Sequence, residues 1–200
     1  MSDKPAITGF PIHELLRDRW SPRAFSQQPI ERNKLGSLFE AARWAASCFG
    51  EQPWSYLAGV AGDATHEKLA SCLMPINAAW AAKAPVLVLS VACLKFTHNG
   101  NPNRHAYHDV GAAAAQLTLQ AMSAGLYLHQ MGGFDQAKSR QLFEIPDGHD
   151  PVAMIALGYP GDPAALGEDL YKKELAPRSR KPLSQIVFSG KWGDPSELLK

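Results

Sequence analysis

Ala45-Ala46-Ser47-Cys48-Phe49-Gly50-Glu51-Gln52-Pro53-Trp54 is the junction between two kinds of periodicity. Upstream of it, from Glu31, the apolar residues Leu35, Leu38, Phe39 and Ala42 recur at spacings of three and four, while Arg32, Lys34 and Glu40 take the other face. That spacing predicts an amphipathic helix. Gly50 and Pro53 forbid its continuation, and Trp54 to Val60 follows with strand character. The loop between them offers small residues and backbone donors, so a flat ring can approach the backbone there.

Outward from this junction the same alternation continues. Asp63 can cap a helix running to Leu73, and Pro75 with Asn77 opens a short helix to Lys83. The β-branched run Val86 to Ala92 predicts a buried strand. Thr97 to Arg104, rich in Asn, predicts a surface loop able to border a site, followed by a helix from about His105 to Ala124. Val110, Ala114, Leu117, Ala121 and Ala124 form one stripe of that helix, and Ala112, Ala113, Leu119 and Met122 leave little polar surface elsewhere, so it should be buried nearly all round. Gly111 and the alanines after it are small enough to admit a neighbouring helix closely, including one from a second subunit. Leu126 to Gln130 and Pro151 to Leu157 read as further strands, with a short helix from Asp135 to about Leu142 between them. Asp162 opens a polar stretch to Pro182 that contains prolines, a glycine and a basic cluster. The residues beyond it lack periodicity and call for a partner surface, with Val187, Phe188 and Trp192 as apolar anchors. Helices outnumber strands in an α+β or α/β arrangement.

A chain of 200 residues with 46% hydrophobic composition suits one domain, residues 1–200. Its 20 Lys and Arg against 19 Asp and Glu leave a formal charge of +1, which provides no general field for nucleic acid or an anionic membrane. Met1 to Phe10 has no secretory apolar core, and Ala84 to Leu94 is too short to span a bilayer. Cys48, Cys72 and Cys93 are scattered, as expected for reduced thiols, and the expected location is cytoplasmic. Signatures for dinucleotide-binding glycines, phosphate loops, serine elbows and zinc proteases are absent from the sequence. His105-x-x-His108-Asp109 lacks a convincing third ligand, so no metal is expected. His129, beside Gln130 in a strand, reads as a hydrogen-bonded structural residue.

Two basic segments stand out. Arg19-Trp20-Ser21-Pro22-Arg23 sets two guanidinium groups around a hydroxyl where Pro22 prevents a regular helix, and Arg178-Ser179-Arg180-Lys181 offers a second set of donors. Either can clamp a phosphate; read alone, the first is also an ordinary basic turn and the second a solvated loop. Met131-Gly132-Gly133-Phe134 places two residues without side chains at a strand end, where backbone N–H groups can point at a ligand or simply form a tight turn.

In this order and over nearly the whole chain, these segments resemble the nitroreductase family of flavin enzymes. The family pattern is Arg-x-Ser-x-Arg, a helix ending in Pro-Ser-Ser-x-Asn-x-Gln-Pro-Trp, an Ala-rich central helix, a Gly-Phe-Asp turn and a late basic pair. Here these are Arg19 to Arg23, Ala46 to Trp54, Gly111 to Gly125, Gly133-Phe134-Asp135 and Arg178-Ser179-Arg180. The resemblance implies a three-layer α-β-α fold with a mostly antiparallel central sheet, in an intertwined homodimer that holds FMN non-covalently between subunits. It assigns Arg19, Ser21, Arg178 and Arg180, beside Trp20, to the phosphate, Arg23 to the pyrimidine edge, and Asn77 to a hydrogen bond with the ring. Ala46, Ser47, Cys48 and Gly50 would come from the other subunit, and the Gly132 N–H would reach flavin N5 with Met131 and Gly133 adjacent. Tyr107, His108 and Phe134 are expected pocket walls, with core packing an equal alternative for the two aromatics. The implied reaction is ping-pong transfer of hydride from NADH or NADPH, a transient co-substrate, to nitroaromatics, quinones or other electron-poor acceptors. Dehalogenation, ring oxidation, flavin breakdown and flavin binding with little turnover stay open as alternatives. The family's proline, second serine and asparagine are Ala46, Cys48 and Gly50 here. Where some members carry a lysine near the ring this chain has Trp80, which leaves Arg23 as the main positive charge there.

Overall fold

The computed structural model describes residues 4–199. Four strands, β1 (Trp54–Val60), β2 (Val86–Cys93), β3 (Tyr127–Met131) and β4 (His149–Gly158), pair antiparallel in the order β1-β2-β4-β3. Among the described residues seven α-helices accompany them: α1 (Glu14–Asp18), α2 (Arg32–Arg43), α3 (Ala64–Ser71), α4 (Pro75–Ala81), α5 (Ala106–Ser123), α6 (Gln136–Leu142) and α7 (Glu168–Leu175). The fold is α+β, and no helix of the described residues is long and apolar enough to cross a membrane.

The period-two alternation of β2 and β4 divides the interior into two cores. Leu87, Leu89 and Val91 with Met154 and Ala156 face Leu69 of α3, Trp80 and Ala81 of α4, and Phe134. Val86 and Val88 with Ile155 and Leu157 face Leu38 and Ala42 of α2 and Ala113, Leu117 and Ala121 of α5. Helices therefore cover both faces of the sheet, the expected three layers. Strand β4 begins two residues before the predicted Pro151. Pro151 has no N–H to donate, and it lies opposite Val91, where the register slips between Ser90 and Val91. The Ser90 hydroxyl exchanges hydrogen bonds with the backbone of Ala153 at 3.2 Å, which restores pairing past the irregularity.

One sequence expectation is corrected, and two helices were not anticipated. Helix α5 is not buried all round: Gly111 and Ala115 are exposed, and Ala112, Leu119 and Met122 are half-buried. The polar stretch after Asp162 contains α7, with Glu168 and Asp169 at its first turn and Lys172 and Lys173 at its last, the polarity that suits the helix dipole. Helix α1, capped by the His13 side chain, lies just ahead of Arg19 in a segment whose periodicity is too short to read.

Strand β3 is at the edge of the sheet, and residues 20–26 lie along it. Trp20 meets Tyr127 edge-on at 6.4 Å between ring centroids. The His129 Nδ1–H donates to the Pro22 carbonyl at 3.0 Å, and its ring packs on Trp80 at 4.6 Å. Past Pro22, Gly161 N–H donates to the Ala24 carbonyl and Ser26 N–H to the Tyr159 carbonyl, each at 2.9 Å. His129 thus has the structural role the sequence suggested.

Strand β1 and helix α3 approach so closely at Gly59 that a Cβ there would lie 2.2 Å from the His66 backbone nitrogen. Gly59→Ala should therefore destabilise the fold by about 1–3 kcal/mol or more, seen as a lower denaturant midpoint. Burial, opposed by the Pro22 carbonyl, lowers the His129 pKa from its ordinary 6.5. As pH falls the unfolded chain takes this proton first, so the stabilisation is complete above about 6.5 and is lost as pH drops through the lower folded value. Denaturation midpoints from pH 8 to 5 should fall accordingly, and less steeply in His129→Asn.

Candidate functional site

Arg19 and Ser21 line an open groove of about 300 Å³ whose other walls are Leu16 of α1, Ala115, Thr118 and Leu119 of α5, and Leu128 and Gln130 of β3. Arg19 follows the last turn of α1, so its direction is set by a helix end and by the extended segment that covers β3. Its Nη1 donates to the Ser21 hydroxyl at 3.3 Å. Burial, with the nearby charges of Arg178 and Arg180, lowers the Arg19 pKa, and burial with the charge of Arg180 lowers that of Arg178. Guanidinium groups remain cations at any ordinary pH. The shifts therefore report burial first and, after it, the closeness of the other guanidinium charges, a repulsion that a bound dianion would relieve. Arg178 is steadied by the carbonyls of Lys4 and Arg17, and Arg180 by the Ser179 carbonyl at 2.7 Å. The two basic segments, remote in sequence, are in this way gathered at one place.

The remaining groups lie along β3. Trp20 is buried under the Lys4 ammonium, which sits 4.5 Å from its ring centroid. Beyond Gln130, Met131 is buried and Gly132 is exposed. A Cβ at Gly132 would meet nothing within 4 Å, so the space above that backbone is open to a flat group. Gly133 is different: its carbonyl accepts from Asn77 Nδ2 at 2.9 Å, and a Cβ there would press within 2.6 Å of the same nitrogen. Asn77 thus pins the turn that presents Gly132.

The Ala46 to Gly50 loop lies elsewhere on the chain. Cys48 N–H donates to Asp109 Oδ2 at 3.0 Å, and Gln52 N–H to the Ser47 hydroxyl at 3.0 Å. Phe49, Gly50 and Gln52 all have positive φ, and Phe49 is 86% exposed, leaning on Phe96 and His98. Asp109 is about 9–15 Å along α5 from the groove residues Ala115 to Leu119, at 1.5 Å per residue. One chain does not bring this loop and the arginine groove together.

Tyr107 donates to Asp150 Oδ2 at 2.7 Å on the protein surface, His108 Nδ1 lies 3.2 Å from Asp109 Oδ1, and Phe134 is buried in the core with Trp80. Arg23 is ion-paired with a carboxylate, Glu174, at 3.6 Å. Among the described residues no group of three or more His, Cys, Asp or Glu is placed to hold a metal ion. Sequence reasoning missed Leu16, Gln130, Asp109 and Glu174. Asp109 carried a legible signal, because it falls on the stripe of Ala106, Val110 and Ala113, where an acid needs a buried partner.

Residues 16–74 and 61–159 match the Nitroreductase family. An uncharacterized 15.4 kDa protein of Mycolicibacterium smegmatis is 41% identical over 136 residues, which cover 68% of this chain and 89% of that protein. A Xanthomonas oryzae protein with the provisional name NADH dehydrogenase/NAD(P)H nitroreductase is 27% identical over 185 residues, covering 83% and 92% of the two chains. The solved structure of an oxidoreductase containing FMN superposes with a TM-score of 0.89 at 32% identity, over 94% of this chain and 96% of that one. The family match covers most of the chain between the two basic segments, and the chain belongs to the nitroreductase family.

Proposed function

We propose that this chain is an FMN-dependent oxidoreductase that takes hydride from NADH or NADPH and reduces nitroaromatics, quinones or related electron-poor small molecules. The observation that carries the reading is the groove lined by Arg19 and Ser21, with the charges of Arg178 and Arg180 close to Arg19, which leads along β3 to the open backbone at Gly132. Such donors suit a monoester phosphate, and the space above a glycine suits a flat ring. FMN supplies the redox chemistry when bound, so the protein need provide no nucleophile or acid–base pair.

The chain's own part is to bind and orient. The three arginines and Ser21 hold the phosphate, the Gly132 amide, steadied through Gly133 by Asn77, directs a donor at the ring, and Arg23 places positive charge beside it. Fixed donors of this kind stabilise developing negative charge strongly where water is partly excluded. The Ala46 to Gly50 loop joins the site from a second copy of the chain. The exposed Gly111 and Ala115 on α5 and the exposed Ile186 and Trp192 of the tail supply surface for that pairing.

The purified protein should be yellow and release about one FMN per chain on denaturation, as each chain contributes one arginine groove. A colourless protein that ignores added FMN overturns the reading. Arg19→Ala and Arg178→Ala should each weaken FMN binding about tenfold to a hundredfold, the worth of a charge-assisted hydrogen bond. Riboflavin, which has no phosphate, should bind wild type and variants alike in the same fluorescence titration.

A further inference from the structure

Glu174 is the most deeply buried acid of the described residues, 1% exposed, and it sits on the last turn of α7. Its carboxylate is fully engaged. Oε1 accepts the N–H groups of Arg23 at 2.8 Å and Ala24 at 3.1 Å, while Oε2 accepts the Arg23 N–H at 3.1 Å and faces the Arg23 guanidinium at 3.6 Å. The Lys4 ammonium bonds the Glu174 carbonyl, and Arg178, just past the end of α7, bonds the Lys4 carbonyl. A charge taken this far out of water persists only where its partners are fixed, so the carboxylate determines where the backbone of residues 23–24 lies. It also determines how much of the Arg23 charge is answered inside the protein. The Lys4 ammonium also lies within the field of Glu174 and Arg23, while His129 is buried against Trp80 and hydrogen-bonded to Pro22.

We propose that Glu174 is a positioning residue of the flavin site: it holds the Arg23 turn in place and partly neutralises Arg23, and so sets the reduction potential of the bound FMN. This rests on the functional reading above. Replacing the carboxylate by an amide keeps an acceptor for the two backbone N–H groups and leaves the Arg23 charge unanswered, which favours the reduced, anionic flavin.

The test uses the FMN-loaded full chain, with the midpoint potential measured by dye equilibration and the FMN dissociation constant by fluorescence titration. Glu174→Gln should favour reduced over oxidised FMN about tenfold more than wild type does, an upward shift of about 30 mV for two electrons. Oxidised FMN should bind within about threefold of wild type, because the turn keeps its acceptor. In an Arg23→Gln background the shift from Glu174→Gln should fall by more than half. An unmoved potential with a lowered melting temperature makes Glu174 merely structural and overturns the proposal. Should Glu174→Gln fail to fold, Arg23→Gln alone decides: its amide still meets Glu174, and the uncovered carboxylate should lower the potential by a similar factor, no change being the overturning result. A wild-type chain that takes up no FMN defeats the functional reading and this proposal with it, whereas a loaded wild type with unmoved variants defeats this proposal alone.

Discussion

Strand β3 lies at the edge of the sheet, and an edge strand presents backbone groups that have to be covered. This chain covers it with residues 20–26, a segment that Pro22 keeps from being a regular strand and that is held by Trp20 on Tyr127, the Pro22 carbonyl on His129 and two backbone hydrogen bonds to the turn after β4. The solution to an edge problem is at the same time the frame of the site. Because the covering segment starts at the end of α1, Arg19 and Ser21 emerge over the groove between α5 and β3, and because it passes α7, Glu174 can seize its backbone at Arg23 and Ala24. A shift of this segment by one residue would turn both arginines away and leave the buried carboxylate unanswered.

The fold was legible where burial is decided locally. Val86 to Ala92 is apolar without interruption because β2 is a central strand covered on both faces, and the three-and-four spacing of Leu35, Leu38, Phe39 and Ala42 marks a helix with one buried face. Asp63 could be taken as a helix cap and Asp135 as a helix start, and both side chains accept from the third residue beyond, at 2.6 and 2.8 Å. Helix α7 was not legible. Its length is eight residues, most of them charged, and its stability comes from the contacts of Leu170 and Glu174 with remote parts of the chain.

Site residues divide along the same line. The basic segments at Arg19 and Arg178 each read as a solvated turn when taken alone, and nothing local says that they meet; the ordered resemblance to a family carried that information. Glu174 was invisible for the opposite reason. Acidic residues among lysines are ordinarily solvated, so only the spacing of Leu170 and Glu174 hinted that this one shares a face with a core-packed residue. Buried acids are where composition misleads most, since each is kept by partners that lie far away in sequence.

The separation of the loop from the groove also constrains how two copies would combine. A two-fold pairing brings residue i of one helix against residue j of the other and j against i, so two α5 helices running antiparallel across an axis exchange their ends. For the loop anchored at Asp109 of one chain to reach the groove walls at Ala115 to Leu119 of the other, the axis must cross α5 between residues 112 and 114. That is the middle of the run Gly111-Ala112-Ala113-Ala114-Ala115, where Gly111 and Ala115 are exposed in the single chain and no bulky side chain keeps a second helix away. The smallest residues of α5 thus fall where the geometry of a completed site would require the closest approach, and Trp80, in the core on the other face of the sheet, stays clear of it. Small side chains there let helices pack near the lower end of the usual 8–10 Å spacing, which is what a loop of only a few residues needs if it is to close over its neighbour's groove.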